Sequence, residues 1–154
     1  MPSDSRTLSS IHNPINRNDF RDVAGWIGEA RTAELFLRHG WDVNQPVLKT
    51  VPYDLHVRKG DRSEYIQCKY RSMYRGCVQV KNQRRKVDHT KKFKYDFDLI
   101  RYFSIYCRNN DNVYIVPTSL ISESFSLRID KSKNNQQLNT HDAELYLEPE
   151  WVTQ

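Results

Sequence analysis

A chain of 154 residues, 38% of them hydrophobic, has the size of one ordinary domain with one core, and no apolar run approaches the roughly 18 residues that a membrane span requires. Its net charge of +5 is small enough to serve solubility alone, so the distribution of charge says more than the sum. Three cysteines, Cys68, Cys77 and Cys107, match neither a disulfide framework nor a CxxC zinc site; with no charged and apolar leader at the start, reduced thiols and a cytoplasmic location are expected.

Residues 1–18 carry few apolar groups and no periodicity, and read as an irregular N-terminal arm ahead of a single domain over 19–154. A helix is predicted from Asn18 or Asp19, with Asp22 in its first turn, to a stop at Gly40. At 100° per residue Trp26, Ala30, Ala33, Phe36 and Leu37 fall on one side, and Glu29 falls inside that stripe. A carboxylate facing a core requires a reason.

Strands are predicted at Trp41–Leu48, Asp54–Val57 and Tyr65–Tyr70, the last two joined by a hairpin turn at Lys59–Asp61. In the second strand Leu55 and Val57 point one way and Asp54 and His56 the other; in the third, Ile66 and Cys68 point inward, which leaves Gln67 and Lys69 together. Between Val78 and Lys94 seven cations face one acid, a net +6 that leaves the rest of the chain slightly negative. Lys81, Arg84, Arg85, Lys86, Lys91, Lys92 and Lys94, interleaved with Asn82 and Gln83, are what a phosphate-tracking element with base-reading side chains contains; a solvated basic loop is the plain alternative.

Beyond this stretch, Phe103–Tyr106 and Val113–Val116 read as paired strands around a turn at 109–112, with Pro117 as the end. Thr118 or Ser119 is expected to cap a short helix near Leu120–Ser124, followed by a strand at Ser126–Ile129 and a polar loop at Lys131–Thr140. Leu145, Leu147 and Trp151 are expected to pack on the core or on another subunit, and the residues near Trp151 and the Tyr102–Tyr106 strand are candidate subunit interfaces.

Glu29, Asp54, Gln67 and Lys69 follow one another at intervals of 25, 13 and two residues. If the hairpin pairs the strands of Asp54 and Gln67, their polar faces coincide, and a helix laid across the sheet brings Glu29 to the same place. Such a cluster suits metal-assisted phosphodiester hydrolysis, because magnesium takes carboxylate and carbonyl oxygens and keeps waters as nucleophiles. Asp54, Glu29, the Gln67 amide and the backbone carbonyl of Cys68 are the candidate ligands; Lys69 orients or deprotonates the water or neutralises developing charge. Taken singly, each residue has an ordinary role: Glu29 on a half-exposed helix edge, Asp54 at a turn, Gln67 and Lys69 on the wet face of a strand.

GEARTAELFLRHGWDVNQPV, PYDLHVRK and EYIQCKYRS together resemble the PD-(D/E)XK nuclease superfamily, whose core carries Glu, Asp and acid-x-Lys in that order, over about Gly25 to Met73. Gln67 in place of the acid, and YFSIYCRNNDNVYIVPTSLIS downstream, resemble the group I intron-encoded homing endonucleases of that superfamily in cyanobacteria. Pro52 matches the family's proline, with Tyr53 inserted before Asp54. The resemblance implies an α/β restriction-endonuclease-like fold with a mixed central sheet flanked by helices. It also implies bound magnesium, double-strand cleavage at a long specific DNA site, and assembly into a homo-oligomer, dimer or tetramer. A Holliday-junction resolvase, a restriction or repair nuclease of the same fold, and a DNA-binding module with a decayed site are the alternatives. Cysteine–histidine chemistry is disfavoured because Cys68 points into the core on the strand phase, and a zinc site because no two ligands sit two to four residues apart.

Overall fold

The computed structural model describes residues 17–85, 92–121, 123–130 and 140–154. The predicted arm up to residue 16, Lys86, Lys91 and most of the predicted polar loop lie outside the described residues.

Helix α1 spans Arg17–Arg38, one or two residues earlier at its start than expected. It ends as a Schellman motif: Gly40 has φ +77°, its N–H donates to Leu37 O, and the N–H of Trp41 reaches back to Phe36 O. Strands β1 (Asp42–Asn44), β2 (Leu55–Lys59) and β3 (Arg62–Arg71) follow, β1 being much shorter than predicted and β3 longer. Next come β4 (Cys77–Lys81), β5 (Arg84–Arg85), β6 (Lys92–Phe93), β7 (Tyr102–Cys107), β8 (Asn112–Pro117), β9 (Ser124–Arg128) and β10 (His141–Asp142), then the short helix α2 (Glu150–Thr153).

The main sheet has the order β1-β2-β3-β7-β8 and is mixed, since β3 and β7 run parallel while its other pairs are antiparallel. β7 and β8 read as continuous apolar runs because both their faces are covered. On one face α1 packs over Leu55, Val57, Ile66 and Ile115 through Leu35 and Phe36. On the other, a three-stranded sheet, β10-β9-β4, contributes Val78, Val80, Phe125 and Leu127 to a second cluster with Phe103, Ile105 and Val116. The mixed α/β architecture is as expected; helices cover one face of the central sheet and a small sheet covers the other.

The buried stripe of α1 differs from the predicted one. Trp26 is 55% exposed and Leu37 and Ala30 also face solvent, whereas Ala24, Gly28, Thr32, Leu35 and Phe36 are buried. The helix lies close against β3, where small residues fit: a Cβ on Gly28 would sit 3.5 Å from Tyr70. The Thr32 hydroxyl donates to Gly28 O at 2.8 Å and lies 2.6 Å from the Ser104 hydroxyl, which satisfies both buried oxygens. Phe20, Val23, Trp26 and Ile27 are left as an exposed apolar face on the first half of α1.

Two further expectations are refined. Of the two alternatives for Trp151, packing on the chain's own core is the one seen, and the Tyr102–Tyr106 strand is largely buried in that core. β7 is an inner strand between β3 and β8, and Trp151 packs on Phe36, Trp41 and Tyr102, with Trp41 Nε1 bonded to Val152 O at 2.8 Å. The turn after Pro117 is a 3₁₀ helix, Thr118–Leu120, without a side-chain cap, because the Thr118 hydroxyl donates to Ile100 O.

Candidate active site

The β2–β3 hairpin builds the centre. Antiparallel register pairs Leu55 with Ile66, and just ahead of β2 the Asp54 N–H donates to Ile66 O at 2.9 Å. The Asp54 carboxylate is thereby held over the next step of β3, where Oδ2 accepts the backbone N–H of Cys68 at 2.7 Å. Gln67 is 8% exposed, and its Nε2 donates to the same Asp54 oxygen and lies 3.4 Å from the carbonyl of Cys68. Asp54, Gln67 and the Cys68 carbonyl therefore converge on one point. Cys68 itself turns toward α1, where burial and then the Asp54 charge push its thiol well above its usual value, the opposite of a nucleophilic cysteine.

Glu29 arrives from α1. It shares with Asp54 a cleft of about 430 Å³ between the helix and the β1–β2 connection, walled also by Trp26, Gln45 and Lys49. Burial, and next the like charge of Asp54, raise its carboxyl to about 7; the Gln45 amide, 3.2 Å away, and the charge of Lys49 pull the other way. A carboxyl poised near neutrality in a cleft is a recurrent mark of a functional site.

Lys69 leaves β3 on the face of Gln67 and meets the wall between β6 and β7. Its Nζ donates to Tyr95 Oη at 2.6 Å and stands 4.5 Å from the Tyr95 ring centre and 5.5 Å from that of Phe103. Among the described residues no group of three or more His, Cys, Asp or Glu could hold a metal, so an ion at Asp54 needs the carbonyl and amide oxygens beside it.

The basic segment forms the end of β4 and a two-stranded ribbon, with Arg84 paired to Phe93 and Arg85 to Lys92. Lys81, Gln83 and Lys94 are exposed. Asn82, expected to face DNA, is only 7% exposed, and its Oδ1 accepts the N–H of Tyr95 at 3.1 Å. That amide closes the root of the ribbon. Gln45 and Tyr95 were not foreseen: an amide in a connection and a tyrosine after a run of lysines carry no pattern that marks a site.

The model of a PD-(D/E)XK endonuclease family matches residues 22–148, a span that includes every residue of the centre. Among solved structures, "The structure of a bacterial homing endonuclease: I-Ssp6803I" superposes with a TM-score of 0.65 over 82% of this chain and 88% of that one, at 18% sequence identity, a likeness of fold. No curated protein matches the sequence. With the family's span covering most of the chain and the fold in agreement, the chain belongs to the PD-(D/E)XK endonucleases and is a nuclease.

Proposed function

We propose that this nuclease is a site-specific double-strand DNA endonuclease of the homing kind that hydrolyses phosphodiester bonds with magnesium. The observation that carries the reading is the Gln67 amide nitrogen lodged between the Asp54 carboxylate and the Cys68 carbonyl. A partly positive N–H group there marks a point that two hard oxygens favour for a cation, and turning the amide over brings its oxygen to the same point. One carboxylate and two neutral oxygens, with Glu29 for a second ion or its waters, form a donor set that magnesium accepts. The bound ion supplies Lewis-acid polarisation of the phosphate and a water of lowered pKa. Lys69 positions the attacking water and offsets charge that develops on the phosphorane.

The ribbon and its flanks carry DNA in this reading, through Lys81, Gln83, Arg84, Arg85, Lys86, Lys91, Lys92 and Lys94; a two-stranded ribbon fits the major groove. Asn82 is left out because its side chain is used inward. A chain this short covers little duplex, so a long site calls for a homo-oligomer with matching half-sites, and the exposed Phe20, Val23 and Ile27, beside the cleft wall, offer a surface for it. That a solved structure of similar fold is a bacterial homing endonuclease supports this reading over one on branched DNA. No helix among the described residues is long and apolar enough to cross a membrane.

Supercoiled plasmids with and without an intron-insertion sequence, incubated in magnesium or EDTA, test the proposal. Linearisation that needs both site and magnesium supports it. Cutting confined to four-way junctions makes the protein a resolvase, and binding without cutting makes it a DNA-binding module. Replacing Lys81, Arg84, Arg85 and Lys86 with alanine is expected to make the slope of log K against log salt shallower by about 3–4. An unchanged slope moves the DNA to another surface.

A further inference from the structure

Tyr95 stands where the DNA-facing ribbon meets the catalytic lysine. A lysine ammonium sits on a flexible four-carbon stem, so a lysine that must address one water needs something to fix its direction. Here the Tyr95 hydroxyl supplies that at 2.6 Å, and the rings of Tyr95 and Phe103 lie within cation–π range of Nζ. An ammonium has no lone pair, so the tyrosine oxygen accepts and its own proton points away from Lys69.

Tyr95 is itself fixed from two directions. Its ring meets Phe103 edge to face at 5.2 Å and 81°, and its backbone N–H is held by Asn82 Oδ1 at 3.1 Å. Asn82 in turn is tied to the Glu123 carbonyl at 3.2 Å. Asn82 and Tyr95 are the residues at which the chain enters and leaves the β5–β6 ribbon. The root of the ribbon and the Lys69 ammonium therefore meet at one residue, Tyr95, the first through its backbone N–H and the second through its hydroxyl.

We infer that Tyr95 is a positioning residue for Lys69, and that the Asn82–Tyr95–Lys69 chain couples engagement of DNA by the ribbon to alignment of the catalytic lysine. The inference rests on the reading of Lys69 as catalytic and adds to it a residue and a link between recognition and cutting. Its consequence is a division of labour: the ribbon cations set affinity, and Tyr95 sets the rate of the bound complex.

Tyr95→Phe removes the acceptor and keeps the ring against Phe103. Single-turnover cleavage of the plasmid that the wild type cuts is expected to slow by about tenfold or more, as befits one hydrogen bond to a charged group, with unchanged affinity for a cleavage-resistant duplex. A metal-free readout runs beside it. In protein labelled with ¹⁵N at lysine Nζ, the Lys69 ammonium signal, assigned by its loss in Lys69→Ala, is expected to shift and broaden in Tyr95→Phe. Wild-type affinity for the duplex certifies that the variant is folded. A Tyr95→Phe protein that cuts at the wild-type rate with an unshifted Lys69 signal, or whose whole loss lies in affinity, overturns the inference. A dead Lys69→Ala beside an unimpaired Tyr95→Phe sinks this inference alone, whereas a Lys69→Ala that cuts as wild type sinks both this inference and the reading of the site.

Discussion

Two acidic residues, one on the central sheet and one on the helix laid across it, have opposite surroundings. Glu64, on β3, is 2% exposed and faces two guanidinium groups, Arg62 at 3.1 Å and Arg101 at 2.8 Å. Arg62 is itself laid 4.2 Å over the Trp151 ring and bonded to Tyr102 Oη at 3.0 Å, so the charge is neutralised where the sheet meets the C-terminal helix. Glu29 faces the like charge of Asp54 across a cleft, and its proton is held up to about 7. A carboxylate buried for stability is compensated on the spot, whereas Glu29 is held near Asp54 against their mutual repulsion, an arrangement that the divalent cation of the proposed function would relieve.

The comparison is open to breaking on both sides. The largest effect is expected at the cleft: Asp54→Ala and Lys69→Ala should lower plasmid cleavage by roughly 10³-fold or more while leaving duplex binding near the wild-type level. Either variant cutting like the parent removes the functional half of the contrast. Next comes Glu64→Gln, which keeps the shape and leaves two arginines facing a neutral amide. Thermal or denaturant unfolding should show a loss of about 2–3 kcal/mol, toward the low end because Arg101 is 61% exposed, with cleavage at ambient temperature intact. No loss of stability would mean that this ion cluster does not hold the sheet.

The smallest effect is at Glu29. Folding raises its carboxyl from 4.5 to about 7, so the folded chain holds that proton more tightly than the unfolded one. The associated stability is whole below about pH 4.5 and is lost as pH rises through 7. Glu29→Gln should flatten that part of the profile and raise the Tm of the metal-free protein at pH 8 by about 2–4 °C, solvent screening having reduced the effect, while cleavage falls. A variant less stable than the parent at pH 8 would show that Glu29 contributes to the fold as a charge.

Strand periodicity made the hairpin part of the site legible. With side chains alternating every residue, Asp54 and Gln67 had only one way to share a polar face once the turn at Gly60, φ +57°, was recognised, and the register confirms the pairing. The helix was harder. Counting large apolar residues put Trp26 and Leu37 inward, but a helix laid backbone-close on β3 buries its small residues, Ala24, Gly28 and Thr32, and its first half carries its aromatics outside. The small sheet was not legible either. β4 pairs with β9, Val80 opposite Phe125, across an interval in which local pattern says nothing about partners, and the same distance hid the roles of Asn82 and Tyr95.

The parallel pairing of β3 with β7 has a kinetic consequence. Lys59 meets Arg62 across a tight turn, so the hairpin that carries Asp54, Gln67 and Lys69 closes on the microsecond scale of local structure. Ile66 finds Tyr102, and Cys77 finds Arg128, only after long loops are closed, with the entropy cost that slows non-local contacts. The hairpin half of the candidate centre is therefore expected to form early as the chain folds, and the ribbon root, with the alignment of Lys69 inferred from it, to be locked in late.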